Sequence, residues 1–102
     1  MEPAPERLFY EKRVSTFRAL IKAVGALDAD SGIRVVGRYG KAKCFGFITR
    51  FGDSFTILIY QAKGPRDGTP GRLLASKEMR GTAELAKLLG EMTKGGVNAY
   101  VY

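Results

Sequence analysis

The chain has 102 residues, of which 45% are hydrophobic, and its formal net charge is +7. This length suits one domain over residues 1–102, and the hydrophobic content excludes an intrinsically disordered chain. No apolar run approaches the ~20 residues that a membrane span needs, so we expect no contact with a membrane. The acidic, proline-containing start predicts no signal peptide, and a single cysteine fits a reducing, cytoplasmic setting.

The first part of the chain predicts a loose tail followed by a helix. Residues 1–5 hold two prolines and are expected to form the tail. Over residues 6–27 the apolar side chains Tyr10, Val14, Phe17, Ile21 and Val24 recur at steps of three and four, which is the helical period. The acidic, glycine-containing run 28–32 is expected to end this helix.

The middle of the chain predicts strands. Residues 33–39, 41–51 and 55–63 are rich in β-branched and aromatic side chains and are separated by turns that contain glycine. We expect them to form an antiparallel meander. Residues 64–71 hold three glycines and two prolines and predict a loop. Residues 72–80 fit a strand or a helix, and we favour the strand.

The last part of the chain predicts a helix and a final strand. Thr82 is expected to cap a helix that buries Leu85, Leu89 and Met92 and ends at the glycine pair 95–96. Residues 97–102 then alternate as a strand. The fold class is therefore α+β, a single antiparallel sheet with two main helices packed on one face, in the order α-β-β-β-β-α-β. The sequence leaves open which face of the sheet the helices cover.

Basic residues are concentrated in one third of the chain. Residues 31–66 contain seven lysines and arginines and one acid, Asp53, and so carry +6 of the net charge. In the predicted strand 41–51 one face carries Lys41, Lys43, Phe45 and Phe47 together. Lysines beside aromatic rings suit a polyanion that also has flat bases, which means single-stranded nucleic acid.

Residues 43–49, Lys-Cys-Phe-Gly-Phe-Ile-Thr, resemble the RNP1 motif of RNA-recognition domains. The base, both aromatics, the glycine and the aliphatic residue match. Cys44 stands where the motif has glycine, and Arg50 stands where it has its last aromatic residue. The alternative is that Phe45 and Phe47 are ordinary core residues, as aromatics on strands usually are.

The chain is small and basic, and its predicted helices flank a short antiparallel sheet. Residues 38–43 read Arg-Tyr-Gly-Lys-Ala-Lys. In these features the chain resembles the ThermoDBP group of archaeal single-stranded DNA-binding proteins. The resemblance implies a sheet wrapped by helices, with a basic, aromatic-lined cleft that takes single-stranded DNA without sequence preference. One asparagine and one glutamine in the whole chain also favour a thermophilic source.

We expect no catalysis, no cofactor and no metal site. The chain has no histidine, which excludes Ser-His and Cys-His nucleophile systems, and one cysteine cannot build a zinc site. The favoured hypothesis is a non-catalytic protein that binds single-stranded DNA. The alternatives are an RNA-binding or duplex-DNA architectural protein, and a protein–protein interaction module that uses the aromatic residues as its interface. A homodimer is consistent with all of them.

The residues predicted to contact nucleic acid fall into two groups. Those expected to hold phosphates are Arg34, Arg38, Lys41, Lys43 and Arg50; those expected to stack on bases are Tyr39, Phe45 and Phe47, with Tyr60 or Tyr100 extending the row.

Overall fold

A computed structural model describes residues 12–62 and 70–102. Within these residues the chain forms a six-stranded sheet and two helices. In chain order they are β1 (Lys12–Val14), α1 (Phe17–Gly25), β2 (Gly32–Tyr39), β3 (Ala42–Phe51), β4 (Ser54–Ala62), β5 (Pro70–Arg80), α2 (Ala83–Met92) and β6 (Asn98–Val101). The predicted tail over residues 1–5 and most of the predicted loop lie outside the described residues. The α+β class and the single antiparallel sheet are confirmed.

The spatial order of the strands is β1-β6-β2-β3-β4-β5, and each neighbouring pair is antiparallel. Strands β2 to β4 form the predicted meander, and β5, the strand favoured for residues 72–80, pairs antiparallel with β4. Gly40 and Gly52 supply the positive φ that the two tight turns on either side of β3 require, at 64° and 63°. The last strand, β6, lies between β1 and β2 and so joins the two ends of the chain in one sheet.

Both described helices pack against the same face of the sheet. Leu20 of α1 and Leu89 of α2 belong to one buried cluster with Cys44 and Ile48 of β3. The helices therefore cover the small, apolar face of β3, which decides the point that the sequence left open. Gly37 allows α2 to come close to β2, because a Cβ atom there would overlap the main-chain carbonyl of Met92.

The prediction of one helix over residues 6–27 is confirmed for Phe17–Gly25 and wrong for residues 12–16. Lys12–Val14 is a strand, and α1 begins only after Thr16, whose hydroxyl accepts a hydrogen bond from the Ala19 amide at 3.1 Å. Val14 is buried in the sheet opposite Ala99, and not along a helical stripe. The order of the described elements is therefore β-α-β-β-β-β-α-β.

The second helix begins where the sequence predicted, but not for the predicted reason. Thr82 occupies the N-cap position and its side chain makes no capping hydrogen bond. Glu84 lies in the first turn, where a negative charge is favourable. Among the described residues no helix has both the length and the apolar character to cross a membrane.

Candidate nucleic-acid interface

The sheet face turned away from α1 and α2 gathers most of the predicted site. We call it the aromatic face and assign its members from strand alternation and register. They are Arg13, Arg34, Val36, Arg38, Lys43, Phe45, Phe47, Thr49, Phe51, Ser54, Thr56, Leu58, Tyr60, Leu73, Ser76, Glu78, Arg80, Asn98 and Tyr100.

Half-buried rings occupy the middle of the aromatic face. Phe47 and Tyr60 meet edge to face, with ring centroids 5.7 Å apart and an interplanar angle of 77°. The guanidinium carbon of Arg34 lies 4.5 Å from the centroid of the Tyr100 ring. Such edge-to-face and cation–π contacts hold rings in fixed orientations while part of each ring stays accessible.

Phe45 lies on the aromatic face but is only 6% exposed. In the sheet it is flanked by Val36 on β2 and Tyr60 on β4. A ring this deeply buried offers no free face to a base, so the structure does not support the stacking role predicted for Phe45. The Phe45 ring is instead a buried part of the sheet beside Val36 and Tyr60.

Positive charge dominates the aromatic face among the described residues. Its five cations are Arg13, Arg34, Arg38, Lys43 and Arg80, and its single acid is Glu78. Arg38 and Lys43 are directly opposite each other in the β2–β3 register, and both are exposed. Lys41 is exposed in the turn that joins these two strands. The predicted phosphate contacts therefore concentrate at the β2–β3 hairpin.

Arg50 lies on the opposite side of β3, where it binds main-chain carbonyls. Its Nε donates to Gly52 at 2.9 Å, and its Nη1 donates to Gly25 at 3.3 Å and to Leu27 at 3.2 Å. Its guanidinium carbon is also 5.2 Å from the Phe55 ring centroid. These contacts tie the end of α1 to the β3–β4 hairpin, so we leave Arg50 out of the interface.

Tyr39 is also separated from the aromatic face. It is half-buried and packs against the core cluster on the helix side of the sheet. The alternation along β2 already indicated this, since Tyr39 is an odd number of residues from Arg34 and Arg38 is an even number.

The members of the aromatic face that were not found from the sequence include Arg13 and Leu73. Arg13 lies opposite Tyr100, but β1 has only three residues and gives too short a pattern to recognise. Leu73 lies opposite Tyr60 and is 47% exposed. It is displaced by an irregularity in the β4–β5 register, which breaks the alternation that would have marked it.

Two observations on the described residues bear on their reactivity. They contain no group of three histidine, cysteine, aspartate or glutamate side chains that could hold a metal ion. Cys44 is buried on the helix side of the sheet, and burial raises the pKa of its thiol. The thiol is therefore protonated at neutral pH and is a poor nucleophile.

Comparison of the chain with family models, with curated proteins and with solved structures gave no match. The resemblance to the ThermoDBP group therefore remains a prediction.

Proposed function

We propose that this chain is a non-catalytic nucleic-acid-binding protein that prefers single-stranded DNA and binds it without strong sequence specificity. The supporting observation is that half-exposed rings and a cluster of cations share one sheet face, opposite the face on which the helices pack. Single-strand binders combine these two features, because cations follow the phosphates while rings stack on bases of any sequence.

In this proposal the bases lie against Phe47, Tyr60 and Tyr100. Phe47 and Tyr100 belong to strands that are two positions apart in the sheet, about 10 Å at ~4.8 Å per strand. The phosphates lie toward Arg38, Lys43 and the nearby Lys41. A strand crossing the sheet from β6 toward β4 would meet the rings in turn, with the cations beside its path.

The same geometry favours single strands over duplexes. Base faces in a duplex are stacked on one another, so half-buried rings on a sheet cannot reach them without unpairing. A duplex would use only the cations, which contact phosphates without regard to sequence. We therefore expect duplex DNA to compete weakly.

Fluorescence anisotropy with a labelled ~20-nucleotide single strand tests this proposal, because that length exceeds the ~4–16 nucleotides of a small single-strand site. If about four phosphates are neutralised, the logarithm of the affinity should fall against the logarithm of salt with a slope of about −3. Unlabelled RNA and duplex DNA of the same sequence serve as competitors. A slope near zero would refute the proposal, and stronger displacement by duplex would favour an architectural role.

A second candidate function is a protein interface on the aromatic face. Leu73 is 47% exposed, and the half-buried Val36 and Leu58 adjoin the rings, which gives the face an apolar component. A second copy of the chain is the simplest partner. Light scattering across protein concentrations, with and without the oligonucleotide, separates the two: an interface between copies predicts a dimer that excludes DNA.

A further inference from the structure

Tyr102 extends the pairing of the last strand by one residue. The Gly32 amide donates to the Tyr102 carbonyl at 3.0 Å, and the Tyr102 amide donates to the Gly32 carbonyl at 2.9 Å. This exchange occupies the next position of the β2–β6 register after Ile33 and Val101. Because side chains alternate along a strand, Tyr102 lies on the same side of the sheet as Tyr100, which is the side of the aromatic face.

The Tyr102 ring lies with one face on Gly32. A Cβ atom added to Gly32 would be 2.7 Å from the Tyr102 hydroxyl oxygen, 2.8 Å from Cζ and 3.0 Å from Cε1. These three bonded atoms are almost equally far from that point, so the point lies above the plane of the ring and not at its edge. The contact therefore needs glycine at this position, because a real Cβ atom would displace the ring.

The outer face of the ring is accessible. Tyr102 is 43% exposed although its inner face covers Gly32, which is buried. Its exposed surface therefore comes from the outer face and the edges of the ring. Phe47 and Tyr60 differ, since they meet edge to face and each is half-buried. A ring that lies flat on a sheet with its outer face open is the platform on which unpaired bases stack.

Two arginines lie beside this ring. Arg34 follows Gly32 by two residues on β2 and so shares its face, and the Arg34 guanidinium carbon is 4.5 Å from the centroid of the Tyr100 ring. Arg13 is exposed and lies opposite Tyr100 on β1. Tyr100 and Tyr102 are about 7 Å apart along the extended chain, twice the ~3.4 Å rise between stacked nucleotides. The two rings therefore suit neighbouring bases of a stretched single strand.

We propose that Tyr102 is a base-stacking residue of the single-strand site and that Gly32 is the positioning residue that holds its ring flat against the sheet. The inference rests on the proposed function and adds a stacking position where the path of the strand meets β6. One base stacks on the outer face of Tyr102, and the next lies against Tyr100. Arg34 and Arg13 hold the phosphate between these two bases.

Substitutions of Tyr102 separate the ring from its hydroxyl group. Tyr102→Leu removes the ring, whereas Tyr102→Phe keeps the ring and removes only the hydroxyl. In anisotropy titrations with the labelled ~20-nucleotide strand, we expect the affinity to fall at least about fivefold in Tyr102→Leu and to change less than about twofold in Tyr102→Phe. Equal losses in the two variants would overturn the proposal. A Tyr102→Leu protein that loses stability in urea but binds as tightly as the wild type would also overturn it, because the ring would then only cover Gly32.

Gly32→Ala tests the positioning role. The φ of Gly32 is not positive, so its backbone accepts alanine, and the contact that must yield is the flexible end of the Tyr102 side chain. We therefore expect the variant to fold and to lose about as much affinity as Tyr102→Leu, because its Cβ atom pushes the ring off the sheet. In the Tyr102→Leu background the same substitution should change the affinity less than about twofold.

Gly25→Ala is the matched control, since a Cβ atom there meets open space, and it should bind like the wild type. An equal effect of Gly32→Ala with and without the Tyr102 ring would contradict the positioning role.

Photo-crosslinking distinguishes failure of this inference from failure of the proposed function. A single strand that carries 5-iododeoxyuridine forms crosslinks on irradiation with the aromatic side chains that its bases contact. Mass spectrometry of the tryptic peptide that begins at Gly95 should assign one crosslink to Tyr102. Salt-dependent binding with crosslinks at Phe47 or Tyr60 alone would overturn the inference and leave the proposed function standing. Absence of binding by the wild-type protein would overturn both.

Discussion

Replacing Arg50 should lower stability and leave nucleic-acid affinity nearly unchanged. Its guanidinium donates three hydrogen bonds to carbonyls of Gly25, Leu27 and Gly52. Hydrogen bonds from charged groups contribute about 1.5–3 kcal/mol each. Two of the three are exposed, so water replaces much of their contribution, and we expect Arg50→Ala to cost about 2–3 kcal/mol in the free energy of unfolding.

Urea unfolding followed by circular dichroism measures this loss, which at 2 kcal/mol corresponds to a fall in Tm of roughly 8–16 °C for a domain of this size. Arg50→Lys separates geometry from charge, because lysine keeps the charge but cannot reproduce the planar fork of donors. It should lose most of the same stability. Lys43→Ala should behave in the opposite way, with little change in stability and weaker binding of the single strand. If Arg50→Ala weakened binding as much as Lys43→Ala while remaining folded, our placement of Arg50 outside the interface would be wrong.

Three further predictions concern the scaffold. Gly37→Ala should lower the free energy of unfolding by about 1–3 kcal/mol in urea, because the added Cβ would overlap the Met92 carbonyl. Gly25→Ala is the control, since a Cβ there meets open space and should leave the stability unchanged or slightly higher. Equal losses of stability in the two variants would refute the close approach of α2 to β2. Thr16→Ala should cost ~1 kcal/mol through the lost cap, while Thr82→Ala should cost little because its hydroxyl makes no capping bond; the reverse order in thermal unfolding would contradict the assignment. Burial raises the pKa of Cys44 above its ordinary 9.0, so the folded state keeps a proton that the unfolded chain loses, and the free energy of unfolding should fall as pH rises above 9.0. Cys44→Ala should flatten that fall relative to the wild type, and an identical pH dependence in both proteins would exclude the thiol as its source.

The meander and α2 were predictable because their signals are local. Glycines at the turns and alternation within β2, β3 and β4 are readable from the chain itself, and the positive φ of Gly40 and Gly52 explains why those turns need glycine. β1 was not predictable, because three residues become a strand only by pairing with β6 at the other end of the chain. Counting Val14 as helical put the expected buried stripe of α1 out of phase. Phe17, which was expected on that stripe, is 40% exposed, whereas Leu20, which was not, is buried.

In the candidate site, too, the features that depend on local pattern were predictable and those that depend on strand pairing were not. Alternation along β3 correctly grouped Lys43 and Phe47 on one face and separated Arg50 from them, yet Arg50 was still named as a phosphate contact on charge alone. The burial of Phe45 and the contact of Arg34 with Tyr100 depend on which strands are neighbours. No pattern within one segment carries that information, because β6 reaches β2 only through the tertiary fold.

The central claim, that the aromatic face binds single strands by stacking, is tested most directly by a double substitution, Phe47→Leu with Tyr60→Leu. Leucine keeps the apolar bulk of these half-buried positions and removes the ring. Each stack contributes about 1–3 kcal/mol, so even the lower value predicts a loss of about thirtyfold in affinity for the ~20-nucleotide strand. Phe17→Leu, at a 40% exposed ring on α1, is the matched control and should change affinity by less than about twofold. A folded double variant that binds as tightly as the wild type would contradict the account.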